Sequence, residues 1–147
     1  ACEIESDSTD GGRSFPEPPR IAALSPDEVA ALGMPRTRAR AIVELARATS
    51  DDGLTLEPTA DPREAARRLE AIPGIGPWTV HYVLMRAVRW PNAFPASDLG
   101  LRRALGGITA GEAEKRSRAW EPWRSYAAIH LWNRPSTGEM DHEPSRD

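Results

Sequence analysis

The chain has 147 residues, 39% of them hydrophobic and 28% charged, enough for one domain with a core of its own. It holds no apolar run of about 18 residues, which argues against a membrane-spanning helix, and its first residues are acidic and polar rather than signal-like. With Cys2 alone it can build no intramolecular disulfide, no cysteine-based zinc site and no four-cysteine iron–sulfur cluster, and the expected compartment is the cytoplasm.

The net charge of −3 conceals a segregation. Residues 1–35 carry seven acids and two arginines, residues 36–134 sixteen bases and eleven acids, and residues 135–147 four acids and one arginine. A basic body thus lies between acidic ends. Of the bases only Lys115 is a lysine, and arginine suits bidentate phosphate contact, although charge alone favours the plainer reading of a solvated surface.

In chain order, residues 1–19 read as an acidic, linker-like leader rich in Ser, Asp, Gly and Pro, and a start on Ala1 suggests a fragment or a processed product. Ser25-Pro26-Asp27-Glu28 has the capping-box pattern for a short helix ending at Gly33. From 36 to 49, Ala41, Ile42, Leu45 and Ala46 share one face of a second helix, which Asp51-Asp52-Gly53 stops. Asp61 and Pro62 open a third as N-cap and first-turn residue, with Ala65, Ala66 and Leu69 as its apolar face.

The turn Ile72-Pro73-Gly74-Ile75-Gly76 follows, and Pro77 suits the first turn of a helix expected from Trp78 to about Trp90. Gly74 and Gly76 permit positive φ and leave no Cβ in the way of an approaching backbone. Orphan N–H groups and the helix dipole would make this turn a ready phosphate site. Beyond it, Ser97 or Asp98 can cap a helix over 99–105, ended by Gly106 and Gly107. Thr109-Ala110-Gly111-Glu112 repeats the capping box for a polar helix up to Ala119. The last helix, 122–132, sets Trp123, Ala127 and Leu131 at i, i+4, i+8, with Ala128 and Trp132 beside them, as a core-facing stripe. Trp120 is assigned to the core as well. Pro135 breaks the pattern, and residues 135–147 read as a disordered tail. No segment alternates with period two, so the expectation is an all-α fold of about six to seven helices.

The pieces ALGMPRTRARAI, PGIGPWTVHYV, FPASDLGLRR and WEPWRSYAAIHLW, in this order, resemble the helix-hairpin-helix DNA glycosylase superfamily, in particular its alkylated-base branch, the DNA-3-methyladenine glycosylase II group. The resemblance covers residues 18–134. It implies a partial glycosylase domain over 20–134, with the hairpin unit at 61–90, and base-excision repair as the function. The implied reaction is hydrolysis of the N-glycosidic bond of alkylated purines such as 3-methyladenine and 7-methylguanine in double-stranded DNA, after base flipping. By spacing alone Asp98 is an N-cap; the resemblance implies that it is the catalytic aspartate, stabilising an oxocarbenium ion or activating water. Any single tryptophan is by default a core residue, but matched position implies a base pocket of Trp78, Tyr82 and Trp132.

Relatives that also cleave the strand carry a Schiff-base lysine where Trp78 stands, which implies a monofunctional hydrolase without lyase activity. The hairpin residues Pro73, Gly74, Ile75, Gly76 and Thr79 are implied to bind DNA backbone. No cofactor is expected, apart from a monovalent cation that the family holds on main-chain carbonyls matching Glu70, Ile72 and Ile75. His81, His130 and His142 have no metal-ligand spacing and read as surface or core histidines. Leu99 stands where well-known members have a tyrosine, which bears on substrate range.

Family members precede the ALGMP region with further helices and a small β domain, so a missing N-terminal half or a fusion partner is expected. The bacterial, nucleoid-associated cytoplasm is the implied location. Whether this fragment is itself an enzyme stays open, the alternatives being a non-catalytic helix-hairpin-helix DNA-binding module or an inactive fragment.

Overall fold

A computed structural model describes residues 15–134. Among them are eight α helices, one 3-10 turn and no strand. The chain divides into two compact units at Gly76 and Pro77. The predicted tail at 135–147 and most of the predicted leader lie outside the described residues.

The first unit contains α1 (Pro18–Ala22), α2 (Pro26–Ala30), α3 (Arg36–Ser50) and α4 (Pro62–Glu70). α1 lies at the end of the stretch expected to be linker-like, and five residues opening on two prolines are too few to show a period. α2 has the predicted capping box, with the Glu28 N–H donating to Ser25 and the Ser25 N–H donating to Glu28. Both short helices pack on α3, where Ile21 and Val29 meet Ala39, Val43 and Ala46. Those three fall at i, i+4, i+7, so the buried face is rotated slightly from the expected one, with Ile42 at its edge. Burial of Ile21, Val29 and Val43 stabilises the unit by about 1.5–3 kcal/mol each, and each alanine methyl by less.

Short helices leave carbonyls unpaired at their ends. Arg47 of α3 meets that need, donating from Nε to the Ala22 carbonyl at 3.2 Å and from Nη2 to the Leu24 carbonyl at 3.4 Å. α4 starts as predicted: the Asp61 carboxylate accepts the Arg63 N–H at 2.9 Å and Pro62 occupies the first turn. Its inward face is Ala65 and Leu69, and buried Ile72 follows in the turn.

The second unit contains α5 (Pro77–Arg86), α6 (Leu99–Ala104), α7 (Ala110–Ser117), the 3-10 turn Arg118–Trp120 and α8 (Arg124–Trp132). α5 ends four residues short of the expected Trp90. The Trp90 N–H turns back to the Leu84 carbonyl at 2.9 Å and Arg89 adopts φ 58°, while Pro91 disfavours a helical Trp90. α7 carries its capping box between Thr109 and Glu112, and Gly106 and Gly107, both at positive φ, separate it from α6.

The inward stripe of α8 differs from the expected one. Arg124, Ser125, Ala128 and Leu131 are buried, whereas Trp123 precedes the helix and is 59% exposed, its ring edge-on to Tyr126 at 5.7 Å. A buried arginine is tolerable here because its charge is met. Nη2 of Arg124 lies 2.7 Å from Glu114 and its guanidinium sits 5.5 Å above the Phe94 ring. The Phe94 ring also meets Trp120 at 5.9 Å, so Trp120 does take a packing role.

Candidate active site

Asp98 stands at the start of α6 with extended backbone, φ −61° and ψ 128°, and its Oδ1 accepts the Leu101 N–H at 2.8 Å. It is therefore an N-cap, as its place before an apolar helix suggests. The same carboxylate accepts two indole donors. Trp132 Nε1 donates to Oδ1 at 2.9 Å, and Trp78 Nε1 donates to Oδ2 at 2.8 Å.

These contacts set the charge state. Partial burial pushes the carboxyl up, but the Trp132 indole, the Leu101 N–H, the Trp78 indole and the Gly100 N–H together outweigh it, and Asp98 titrates below its ordinary value. It is ionised at neutral pH. Because Oδ1 already accepts two donors, while Oδ2 accepts the Trp78 indole, Oδ2 retains the freer lone pair.

The three predicted pocket aromatics come together around this carboxylate. Trp78 and Tyr82, one turn apart on α5, stack with centroids 5.1 Å apart and planes 11° apart. Tyr82 then meets Trp132 of α8 at 6.4 Å and 57°. Trp78 and Tyr82 remain 39% and 38% exposed, and Leu99 next to Asp98 is also exposed, so aromatic and apolar surface faces solvent beside the charge. That combination suits a flat, cationic or electron-poor ring.

Gly100 joins the site although it is not among the residues expected there. A Cβ there would press on Asp98 Oδ1 at 3.1 Å and meet Trp132 Cδ1 at an ordinary contact distance of 3.5 Å, so the glycine keeps the carboxylate oxygen uncrowded. Its signal was the DLG triplet, since nothing in a six-residue helix otherwise requires a glycine.

The hairpin turn closes the first unit. The Ile75 N–H donates to the Ile72 carbonyl at 3.1 Å, and Gly74 adopts φ 93°, where a Cβ would press on Ala41 Cβ at 3.2 Å. Gly74 thus needs to be glycine twice over. Gly76, although free to adopt positive φ, does not do so; a Cβ there would meet nothing within 4 Å, leaving an open approach to its backbone. Pro73 is exposed, while Ile75 and Thr79, the latter on α5, are half-buried. The Ile72 carbonyl keeps a second lone pair after its turn hydrogen bond, so the residues present are compatible with a carbonyl-bound cation. Among the described residues no group of three or more His, Cys, Asp or Glu side chains could hold a metal ion. Lys115 is exposed on α7. No described helix is long and apolar enough to cross a membrane.

Comparison with known proteins gives concordant matches. A family profile described as HhH-GPD superfamily base excision DNA repair protein matches residues 3–124. DNA-3-methyladenine glycosylase 2 of Escherichia coli is 36% identical over 118 residues, which are 80% of this chain and 42% of that protein. A probable bifunctional transcriptional activator/DNA repair enzyme AlkA of Mycobacterium tuberculosis is 40% identical over 124 residues, 81% of this chain and 24% of the relative. The chain thus spans less than half the length of either. Among solved structures, the Schizosaccharomyces pombe 3-methyladenine DNA glycosylase Mag1, in complex with abasic DNA, superposes with a TM-score of 0.70 at 28% identity, covering 86% of this chain and 65% of that one.

Proposed function

This chain belongs to the HhH-GPD superfamily of base excision DNA repair proteins, and from that premise we propose that it carries the catalytic aspartate of a monofunctional DNA glycosylase acting on alkylated purines. The proposed reaction hydrolyses the bond between C1′ of deoxyribose and the nitrogen of a damaged base such as 3-methyladenine or 7-methylguanine. The observation that carries the reading is the Asp98 carboxylate, held by two indoles and a backbone N–H and ionised beside exposed aromatic rings.

The transition state for such a bond is oxocarbenium-like. An anion about 4 Å from that charge, at an effective dielectric near 20, stabilises it by about 4 kcal/mol, close to a thousandfold in rate. The depressed carboxyl argues for this electrostatic role over water activation, because hydrogen bonds that favour the anion also make it a weak base. A cationic alkylated purine is already a good leaving group, so a single carboxylate suffices. Trp78, Tyr82 and Trp132 would receive the flipped base, each ring contributing about 0.5–2 kcal/mol by stacking and cation–π attraction.

Pro73, Gly74, Ile75, Gly76 and Thr79 would hold the DNA backbone through main-chain donors, helped by the basic character of residues 36–134. The carbonyls of Glu70, Ile72 and Ile75 would hold a monovalent cation that screens neighbouring phosphates. Tryptophan at position 78 cannot form a Schiff base, so strand cleavage is not part of the proposed activity.

The test is release of 3-methyladenine and 7-methylguanine from methylated duplex DNA by the wild type and by Asp98→Asn. Release by the wild type and its loss in the variant support the proposal; equal release by both refutes the assignment of Asp98. One second reading, a DNA-binding module without catalysis, is favoured by the open backbone at Gly76 and the basic residues 36–134. It predicts salt-dependent duplex binding, unaffected by Asp98→Asn and unaccompanied by base release.

A further inference from the structure

Residues 87–97 connect α5 to Asp98, and the path of residues 90–94 is pinned from two helices. On α8, Ser125 Oγ lies 2.7 Å from the Trp90 carbonyl and 2.8 Å from the Ala93 carbonyl, and the Ser125 N–H donates to the Pro91 carbonyl at 2.8 Å. On α5, His81 Nδ1 accepts the Phe94 N–H at 3.3 Å. Phe94 is fully buried, so its N–H needs a partner inside the protein, and a loop offers it no ladder or helix acceptor.

The pinning residues share helix faces with the residues that hold the carboxylate. His81 stands three positions after Trp78 on α5, and Trp132 seven positions after Ser125 on α8. Each helix therefore contacts both the loop and the carboxylate at the loop's end. We propose that His81 is a positioning residue for Asp98: by accepting the Phe94 N–H it fixes the loop that delivers the carboxylate to the two indoles.

The role asks little of the imidazole except a lone pair at Nδ1, which places the ring proton of the neutral form on Nε2. Asparagine can put an amide oxygen where Nδ1 lies, one bond beyond Cγ; leucine fills similar space without an acceptor. Loss of the contact leaves a buried N–H unpaired and lets the loop shift to satisfy it. The carboxylate would then sit less well against Trp78 and Trp132. This assignment rests on the reading of Asp98 as the catalytic group for its meaning, but not for its test.

The test compares wild type, His81→Leu, His81→Asn and Asp98→Asn, each first shown to melt cooperatively, by proton–nitrogen NMR. Two readouts matter: the carboxyl titration of Asp98, and the indole Nε1–H resonances of Trp78 and Trp132. In His81→Leu the titration should move up toward the ordinary value, and both indole resonances should move toward their positions in Asp98→Asn. His81→Asn should restore both. Base release, where the wild type shows it, should fall about tenfold in His81→Leu, the order expected of one lost buried hydrogen bond. Unchanged titration and indole resonances in His81→Leu would overturn the proposal, as would failure of His81→Asn to restore them. Absence of base release from the wild type would refute the functional reading alone, and the resonances would still decide the role of His81.

Discussion

Replacing Trp132 by phenylalanine removes the indole N–H that donates to Asp98 Oδ1 at 2.9 Å and keeps a ring in its place. A hydrogen bond to a charged group contributes about 1.5–3 kcal/mol when well buried. Asp98 is only half-buried, and solvent competes for its oxygens, so about 1 kcal/mol is the expected loss at pH 7. The smaller ring adds a packing loss that does not depend on pH.

The two contributions separate on acidification. Burial raises the Asp98 carboxyl and its hydrogen bonds lower it further, so its folded value lies below its unfolded one of about 3.9. Stability from such a group is present above the unfolded value and is lost as pH falls through the folded one. Removing a donor raises the folded value, which shrinks this contribution. Urea denaturation of wild type and Trp132→Phe between pH 7 and about 3 should therefore show a gap that is widest at neutral pH and narrows below about pH 4. A gap constant across that range would show that the indole acts by packing alone and that the carboxylate is not held as described.

The glycines give further tests. Gly100→Ala brings a Cβ to 3.1 Å from Asp98 Oδ1; helix propensity favours alanine by about 0.5–1 kcal/mol, so thermal stability should change little while base release falls, and unchanged release would contradict the crowding. Gly74→Ala must place a side chain at φ 93° and 3.2 Å from Ala41 Cβ, and should lower stability by about 1–2 kcal/mol in a denaturant melt. Gly76→Ala meets no neighbour and should melt like the wild type, but its Cβ should weaken duplex binding in a fluorescence-anisotropy titration; equal affinity would show that backbone does not approach there.

Local chemistry carried most of the fold into the sequence. Ser25 and Thr109, each followed at the third position by glutamate, begin α2 and α7 with both bonds of the capping box. Asp61 before Pro62, and the paired glycines at 106 and 107, mark a helix start and a helix end in the same way. What periodicity could not supply was the outcome of competition at a distance. Arg124 turns inward because Glu114 lies ten residues earlier in the chain and Phe94 thirty earlier, and with it inside, Trp123 is left on the surface. α5 stops at Arg86 because residues 87–90 fold back on it, a choice visible only in the proline that follows.

The site divides along the same line. Asp98, Trp78, Tyr82 and Trp132 were named from an ordered set of motifs, and they lie together. That the indoles donate to the carboxylate, that Gly100 leaves its oxygen uncrowded, and that His81 accepts the Phe94 N–H are three-dimensional facts, of which only the glycine left a mark in the sequence, the DLG triplet. A histidine without a metal-ligand partner reads as filler until its acceptor is seen facing an amide.

If the Asp98 carboxylate performs the proposed chemistry, single-turnover base release from methylated duplex DNA depends on its charge. The wild type should release 3-methyladenine, and Asp98→Asn should lose about a thousandfold in rate, the order of one close charge interaction with the sugar cation. An asparagine variant that binds the duplex equally well and releases base at the wild-type rate would contradict that dependence.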